Sequence, residues 1–347
     1  LSIATDDPVS GELGKISRLE MPSSIADSVS LAASASRELS VSIHSGEQSN
    51  SSALIDGQYF MKLFRRLHHG TNPEVEIGMH LQNHGSITCV PPLEGALEYR
   101  PKQGEPISLV VAQRLVDSEG DAWTYTLDEL GRYFERVESE FADTRVAPEL
   151  LPNVPLLTLA EQTVPESAAD IIGPYLETAR LLGERTAEMH LALGASTEES
   201  AFAPESFSKP SQRSLYQSMR TLTRRSLSLL KQHRDRLPGS LDDQVNRLLS
   251  LEEQLLERFR ILIDGDVIPA KRIRTHGDFH LGQVLFTGRD FVIIDFEGEP
   301  DRSIGERRLK RPPLRDVAGM LRSIHYASHA VRLGQAPGTV LAAQESV

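Results

Sequence analysis

The chain has 347 residues, which is long for one hydrophobic core and favours two lobes or domains. Hydrophobic residues make up 39% and charged residues 25%, so a packed core is possible and wholesale disorder is excluded. Acidic residues outnumber Lys and Arg by 49 to 37, and the net charge of −12 argues against a nucleic-acid or membrane-surface binder.

The single cysteine, Cys89, cannot form an internal disulfide, and no apolar run is long enough to span a membrane. There is no basic-then-apolar start, so the sequence does not predict a secretory signal. We therefore expect a cytoplasmic protein. Because the chain begins at Leu1 and not at Met, we also expect it to be part of a longer protein.

The first part of the chain has the pattern of a small antiparallel sheet. Residues 1–38 are rich in Ser and Ala, and we interpret them as an N-terminal cap region. Asp56-Gly57 separates two β-like runs and predicts a hairpin, since both turn positions need a positive φ. Further β-like runs lie around residues 95–99 and 107–115. Residues 39–115 are therefore predicted to form a β-rich N-lobe.

Lys62 lies on one strand face of this lobe, between Phe60 and Phe64. A buried lysine needs a partner for its charge. Asn72 as N-cap and Pro73 at the first helical position predict a helix that carries Glu74 and Glu76. We favour Glu76 as the partner, because Glu74 is the more natural acid for the first turn of a helix.

Helical patterns dominate after residues 116–123, which we interpret as a hinge. A capping box at Thr126 to Glu129 predicts a helix that reaches about Ala142. Apolar periodicity and turn signals predict further helices over residues 175–193, 215–233, 241–263 and 314–333. Residues 124–347 are thus predicted to form a helical C-lobe.

Before the last of these helices, ionisable residues alternate with two short apolar runs. Residues 283–286 and 291–294 are predicted to be the strands of a hairpin. Asp278 precedes the first strand and Asp295 ends the second, so the hairpin would bring the two carboxylates close together. A pair of carboxylates alone is compatible with a hydrolase, a metal site or a kinase.

The complete set of residue types narrows this choice to phosphoryl transfer. Such a site needs a lysine for the nucleotide phosphates and a glutamate to hold it. It also needs a carboxylate to accept the proton of the attacking hydroxyl, and an aspartate with an amide oxygen for Mg²⁺. Lys62, the helical glutamates, Asp278, Gln283 and Asp295 supply these groups.

Two motifs, HGDFH from His276 and IDFE from Ile294, resemble the catalytic loop and metal motif of the aminoglycoside phosphotransferase-like branch of the protein-kinase fold. Within it, HGDFHLGQVL, IIDFEGEP, MKLFRRL and EGDAW resemble maltokinases, including the form fused to a trehalose synthase. The resemblance implies an α+β, bilobal, kinase-like fold whose C-lobe continues beyond this chain. It also implies ATP-dependent phosphorylation of maltose at its anomeric hydroxyl, which feeds glycogen synthesis.

The resemblance also implies roles for individual residues. Asp278 would be the catalytic base, Gln283 and Asp295 the Mg²⁺ ligands, Lys62 the phosphate-binding lysine and Glu76 its partner. The remaining candidates form three groups. Ser49, Asn50 and Ser51 would cover the nucleotide, Gln113 and Leu115 would belong to the interlobe hinge, and Asp121 and Trp123 would lie on the sugar side. His280 and Glu297 would line the site on the sugar or metal side.

Several alternatives stay open on the sequence alone. His276, Asp278 and His280 could form a zinc site, Lys62 could lie at a strand edge with its charge in water, and Trp123 could be a core residue. The acceptor could be another small hydroxyl compound, or the chain could be a non-catalytic nucleotide-binding module fused to a trehalose synthase. We interpret Arg65, Arg66, Arg307, Arg308 and Arg311 as surface or paired charges. Arg307, Arg308 and Arg311 could instead hold an anion.

Overall fold

A computed structural model describes residues 9–19, 39–44, 50–84, 87–141, 154, 156–195, 198 and 200–334. The chain divides into two compact units. The first contains the residues up to Ala203, Arg274–Leu309 and the residues from Pro313 onward, and the second contains Pro204–Ile273 and Lys310–Pro312. Within the described residues, no helix combines the length and apolar character needed to cross a membrane.

The first unit begins with an antiparallel sheet that has seven strands in the described part of the chain. Their order is β1-β2-β6-β7-β5-β4-β3. The strands are β1 (Val9–Ser10), β2 (Gly14–Arg18), β3 (Val41–His44), β4 (Asn50–Ile55), β5 (Tyr59–Phe64), β6 (Leu93–Pro101) and β7 (Ile107–Arg114). The described piece of the predicted cap region, residues 9–19, thus supplies one edge of the sheet. The predicted Asp56-Gly57 hairpin is confirmed, with φ values of 55° and 64° at its two turn residues.

Helix α1 (Pro73–His84) follows β5, and its predicted start is confirmed. The Asn72 side-chain oxygen accepts the backbone N–H of Glu74 at 2.9 Å, which satisfies one of the free donors of the first turn. The helix packs on the sheet through Val75, which shares a buried cluster with Phe64, Leu93, Ala96 and Val111. This packing fixes which face of α1 points toward β5.

The short strand β8 (Gly120–Asp121) leads directly into helix α2 (Ala122–Phe141). The predicted start of this helix at Thr126 is wrong, because the Asp121 carboxylate accepts the N–H of Thr124 at 2.8 Å and caps the helix one turn earlier. Helices α3 (Leu156–Ala160), α4 (Glu166–Ile172) and α5 (Tyr175–Leu193) follow. The prediction of a helix over residues 175–193 is confirmed.

The second unit is mainly helical. It contains β9 (Glu205–Ser206), α6 (Lys209–Gln232), α7 (Asp242–Ser250), α8 (Glu252–Phe259), α9 (Ile261–Asp264) and β10 (Lys271–Arg272). The single helix predicted over residues 241–263 is three segments. Leu251 and Arg260 interrupt it because their N–H groups bond three residues back, to Leu248 and Glu257, and tighten the turn.

The chain then returns to the first unit with β11 (Val284–Phe286), β12 (Phe291–Ile293), α10 (Ile304–Arg307) and α11 (Leu314–Arg332). Strands β11 and β12 pair antiparallel, with Val284 opposite Ile293 and Phe286 opposite Phe291, so the predicted hairpin is confirmed. Strand β8 pairs with the other edge of β11. Both apolar strands carry buried residues. The polar residues that flank the strands are therefore the ones available to form a site.

Candidate active site

Lys62 lies on β5 and is buried inside the first unit, with only 4% of the residue exposed. Its Nζ lies 2.7 Å from the Asp295 carboxylate and 3.2 Å from the Glu74 carboxylate. The lysine is therefore buried and paired, and the alternative of a strand-edge lysine with its charge in water is wrong. The strand places this cation directly beside the end of the β11–β12 hairpin.

The prediction that Glu76 is the partner of Lys62 is wrong, because Glu74 contacts the lysine and Glu76 does not face it. Residues two positions apart lie on nearly opposite sides of an α-helix, so only one of the two can reach the lysine. Glu74 does lie in the first turn of the helix, as expected, but this position does not prevent it from reaching the lysine. Its backbone N–H makes the cap contact with Asn72, while its fully buried side chain is directed toward the lysine.

Three carboxylates gather around this lysine. Within the described residues, Glu74, Asp295 and Glu297 offer oxygen atoms that all lie within 4.8 Å of one another. Burial raises the pKa of Glu74 and of Glu297, and the charge of Asp295 raises both further. Burial alone would also raise the pKa of Asp295, but the Lys62 ammonium outweighs it and lowers this pKa. Crowded carboxylates of this kind are stabilised by added positive charge.

Asp295 has a left-handed backbone, with φ of 66°, which is uncommon outside glycine and is often found at functional sites. Gln283 and Asp295 line the same cavity, the Gln283 side chain contributes to lowering the pKa of Asp295, and Ile294 N–H donates to the Gln283 carbonyl at 3.0 Å. The two residues predicted as metal ligands are thus brought together. An oxygen-only donor set of carboxylates and an amide suits a hard cation such as Mg²⁺.

Asp278 shares a cavity of about 170 Å³ with these groups. The prediction that the hairpin brings Asp278 near Asp295 is therefore confirmed. The cavity is also lined by Arg66, His68 and Arg307, and Arg307 Nη1 lies 3.9 Å from Glu297. The interpretation of Arg66 as only a surface charge was incomplete, because this exposed side chain borders the cavity. Cations at such a place can receive an anionic group.

The His276 imidazole holds the loop that carries Asp278 to the β11–β12 hairpin. Its Nε2 lies 2.9 Å from the Ile294 carbonyl, which can only accept, so Nε2 carries the proton. Its Nδ1 accepts the Asp278 backbone N–H at 3.4 Å. Burial lowers the pKa of His276, in keeping with a neutral ring. Both ring nitrogens are therefore used internally, which leaves none for the alternative zinc site.

Asp316 is a site residue that the sequence analysis missed. From α11, its carboxylate accepts the backbone N–H groups of His276 at 2.9 Å and Gly277 at 3.0 Å, and it contacts His190 Nε2 at 2.9 Å. Burial would raise the pKa of Asp316, but His190 and the other donors lower it. A signal existed in the sequence, since this acid falls on the buried stripe of its helix with Met320.

The residues predicted on the sugar side, or on the sugar or metal side in the case of His280 and Glu297, lie in two places. His280, Asp121 and Trp123 line a second cavity of about 410 Å³, together with Gly282, Gly319, Arg322, Ser323 and Tyr326. Glu297 lies instead in the carboxylate cluster. Trp123 stacks loosely on Tyr326, with ring centroids 5.8 Å apart. His280 Nδ1 accepts the Gly282 N–H at 3.1 Å, so a neutral His280 carries its proton on Nε2.

The predicted nucleotide contacts are also divided. Asn50 lines the carboxylate cavity and donates from its side chain to Glu297 at 2.5 Å, while Ser51 is exposed on β4. Ser49 lies outside the described residues. Gln113 is buried in β7, and Leu115 donates its N–H to the Gln58 carbonyl at 2.7 Å. The hinge roles of Gln113 and Leu115 remain predictions, and the Leu115 N–H already has an acceptor.

Comparison with known proteins gives a family match and a structural match. The model of the phosphotransferase enzyme family matches residues 40–327. Glucosamine kinase of Streptacidiphilus jiangxiensis is 36% identical over 59 residues, which are 17% of this chain and 14% of that protein. Glucosamine kinase of Mycolicibacterium smegmatis (strain ATCC 700084 / mc(2)155) is 38% identical over 64 residues, 18% of this chain and 16% of that protein.

The solved structure of a glucosamine kinase in complex with glucosamine, ADP and inorganic phosphate matches with a TM-score of 0.60 and 19% identity. The match covers 94% of this chain and 70% of the solved one. At this identity the likeness concerns the fold. Together with the family match, it confirms the α+β, bilobal, kinase-like fold predicted from the sequence.

Proposed function

Since this chain belongs to the phosphotransferase enzyme family, we propose that it transfers the γ-phosphoryl group of ATP to a hydroxyl group of a small sugar. One observation carries the proposal. A buried lysine contacts Glu74 and Asp295, and the cavity at this cluster also contains Asp278 and Gln283. Kinase-type phosphoryl transfer depends on the same combination of groups.

The chemistry follows from the roles of these side chains. Asp278 accepts the proton of the attacking hydroxyl, and Lys62 binds phosphate oxygens of the nucleotide. Gln283 and Asp295 would hold Mg²⁺, which supplies positive charge against the phosphate oxygens when it is bound. Arg66 and Arg307 line the same cavity and add positive charge where the transferred group carries its negative charge.

We place the sugar in the cavity lined by Trp123, Tyr326 and His280. The apolar face of a sugar ring can stack on an aromatic side chain, and the Nε2–H of His280 supplies a donor for a sugar oxygen. Glu297 then belongs to the metal side of the site. Asp121 helps to form the wall, but its carboxylate already caps α2.

For the acceptor itself we favour maltose, phosphorylated at its anomeric hydroxyl, because the catalytic motifs resemble those of maltokinases. The second candidate is glucosamine, which appears in the name of the structural relative. The cavity contains the Arg322 guanidinium, which lies 5.9 Å from the Tyr326 ring centroid. The Asp121 carboxylate lines the same cavity but is used to cap α2, so we take the Arg322 cation as the charge that disfavours the ammonium group of an amino sugar.

The wider role that we propose follows from maltose as the acceptor. Maltose 1-phosphate would feed glycogen or α-glucan synthesis, and a trehalose synthase, fused or associated, would supply the maltose. The chain spans only part of the length of the relatives that it matches, so the activity, substrates and partners of the whole protein belong to the same proposal.

The test is sugar-dependent release of ADP from MgATP by the full chain, with maltose, glucosamine and glucose offered separately and the products identified by phosphorus NMR. We expect maltose 1-phosphate from the wild type and none from Asp278→Asn. Asp242→Asn is the matched control, because this half-exposed carboxylate of the second unit lies outside the proposed site. Both variants should retain the circular dichroism spectrum of the wild type.

The possible outcomes separate the alternatives. Phosphorylation of another sugar would overturn maltose and leave the kinase proposal standing. Nucleotide binding without turnover on any hydroxyl compound, and unchanged by Asp278→Asn, would favour the non-catalytic module. Trp123→Ala should raise KM for the sugar by about tenfold and leave KM for ATP unchanged, as expected for loss of a stacking contact of roughly 1 kcal/mol or slightly more.

A further inference from the structure

The carboxylate of Glu76 forms ion pairs that the proposed mechanism does not use. It accepts Arg274 Nη1 at 2.7 Å, and it accepts Arg308 through Nη2 at 2.8 Å and Nε at 3.1 Å. The Arg274 side chain is only 2% exposed, whereas that of Arg308 is 36% exposed. One carboxylate therefore joins two arginines, of which one is deeply buried.

These three residues belong to three segments that surround the active site. Glu76 is on α1, two residues after the glutamate that holds Lys62. Arg274 stands immediately before the loop that carries His276 and Asp278. Arg308 follows α10, beyond the segment that begins at Asp295. The ion pairs therefore connect the helix that fixes the lysine with the stem of the loop that carries Asp278 and with the residue that follows α10.

We propose that Glu76 is a positioning residue for phosphoryl transfer, which through Arg274 fixes the catalytic loop relative to α1 and so sets Asp278 relative to Lys62. The proposal rests on the proposed function. Because residues two apart project from nearly opposite faces of the helix, α1 contacts the lysine on one side and the loop stem on the other. A rotation or shift of α1 would disturb both contacts together.

The burial of Arg274 makes this link hard to replace. In the described part of the chain its Nε and Nη2 atoms have no hydrogen-bond partner, and Glu76 provides the carboxylate that it contacts. Its guanidinium carbon also lies 5.2 Å from the ring centroid of Phe202. An unpaired charge at this depth is strongly unfavourable, so the loop stem is held where Glu76 can reach it. Burial would raise the pKa of Glu76, but the two arginines outweigh it and lower this pKa.

The decisive experiment separates the effect of Glu76 on the position of the loop from its effect on the stability of the fold. Glu76→Gln, Arg274→Met and the double variant are compared in turnover number, KM for ATP, affinity for MgADP and urea unfolding. We expect Glu76→Gln to lower the turnover number by about 10-fold to 100-fold, since small misplacements of reacting groups cost rates of this order. KM for ATP should change by less than about threefold, because the contacts of Lys62 remain.

The double variant is the informative one. It removes the buried cation together with its partner, so it should regain stability relative to Glu76→Gln while its turnover stays low. Glu76→Asp, which keeps the charge with a shorter reach, should fall between the wild type and Glu76→Gln in turnover.

Arg185→Met is the control. It breaks a two-bond ion pair with Asp290, of 2.7 and 2.9 Å, at the turn of the β11–β12 hairpin, and should lower stability without lowering turnover.

Two results would overturn the positioning role. One is a double variant in which turnover recovers together with stability. The other is a Glu76→Gln variant that loses no more turnover than Arg185→Met. Failure of the proposed function has a different signature, because the wild type itself would then transfer no phosphoryl group to any sugar, and the positioning proposal would fall with it.

Discussion

Replacement of Asp316 by asparagine measures how far the catalytic loop depends on one carboxylate. The carboxylate accepts three hydrogen bonds, from the N–H groups of His276 and Gly277 and from His190. An amide can keep its oxygen toward His276 and His190, but its NH₂ group then faces the Gly277 N–H. A buried donor without an acceptor costs about 1–3 kcal/mol, and two charge-assisted bonds become neutral at roughly 1 kcal/mol each.

We therefore expect Asp316→Asn to lower the free energy of unfolding by about 3–5 kcal/mol, and to lower the turnover number by about 100-fold through displacement of the loop. Urea unfolding can be followed by the fluorescence of Trp123, the single tryptophan. Asp242→Asn serves again as the control; it removes an exposed ion pair with Arg234, so a change within about 1 kcal/mol is expected. An Asp316→Asn protein with the urea midpoint and turnover of the wild type would refute this account of the loop.

Three further predictions follow from other contacts of the site. Glu74→Gln removes one of two carboxyl groups that contact the buried lysine, so it should raise KM for ATP, and an unchanged KM would contradict the role of the pair. Burial and the neighbouring carboxylates raise the pKa of Glu74 to about 8, so the group is largely protonated at pH 7 and the free energy of unfolding should change by less than about 1 kcal/mol. His276 is buried with a lowered pKa, so below about pH 6.5 the unfolded chain binds a proton that the folded loop does not. Stability should therefore fall by up to about 1.4 kcal/mol per pH unit on acidification, and urea titrations at pH 7.5 and 5.5 should show a smaller fall for His276→Gln. In Gly319→Ala the new Cβ would lie 2.7 Å from the Phe279 carbonyl oxygen, so thermal unfolding should show a loss of about 1–3 kcal/mol, whereas Gly183→Ala, with open space on α5, should be neutral or stabilising.

Local signals in the sequence were sufficient for the elements that depend on neighbouring residues. The Asp56-Gly57 turn needs two positive φ angles, and the helix that starts at Pro73 needs only its own cap. The β11–β12 hairpin follows from two apolar runs separated by a turn, and it places Asp295 at its end. The residue types of the site could also be predicted from the sequence, because phosphoryl transfer requires a particular set of charges.

Tertiary packing decided which of these residues meet. The contact of Val75 with the sheet sets the rotation of α1. That rotation places Glu74 in contact with Lys62 and Glu76 in contact with the arginines. Asp316 holds the catalytic loop from a helix far along the chain, a contact that no local pattern specifies. The sequence by itself thus determined the chemical groups and the local turns that present them. The partners of each group were decided by long-range packing, because burial and helix rotation depend on the whole fold.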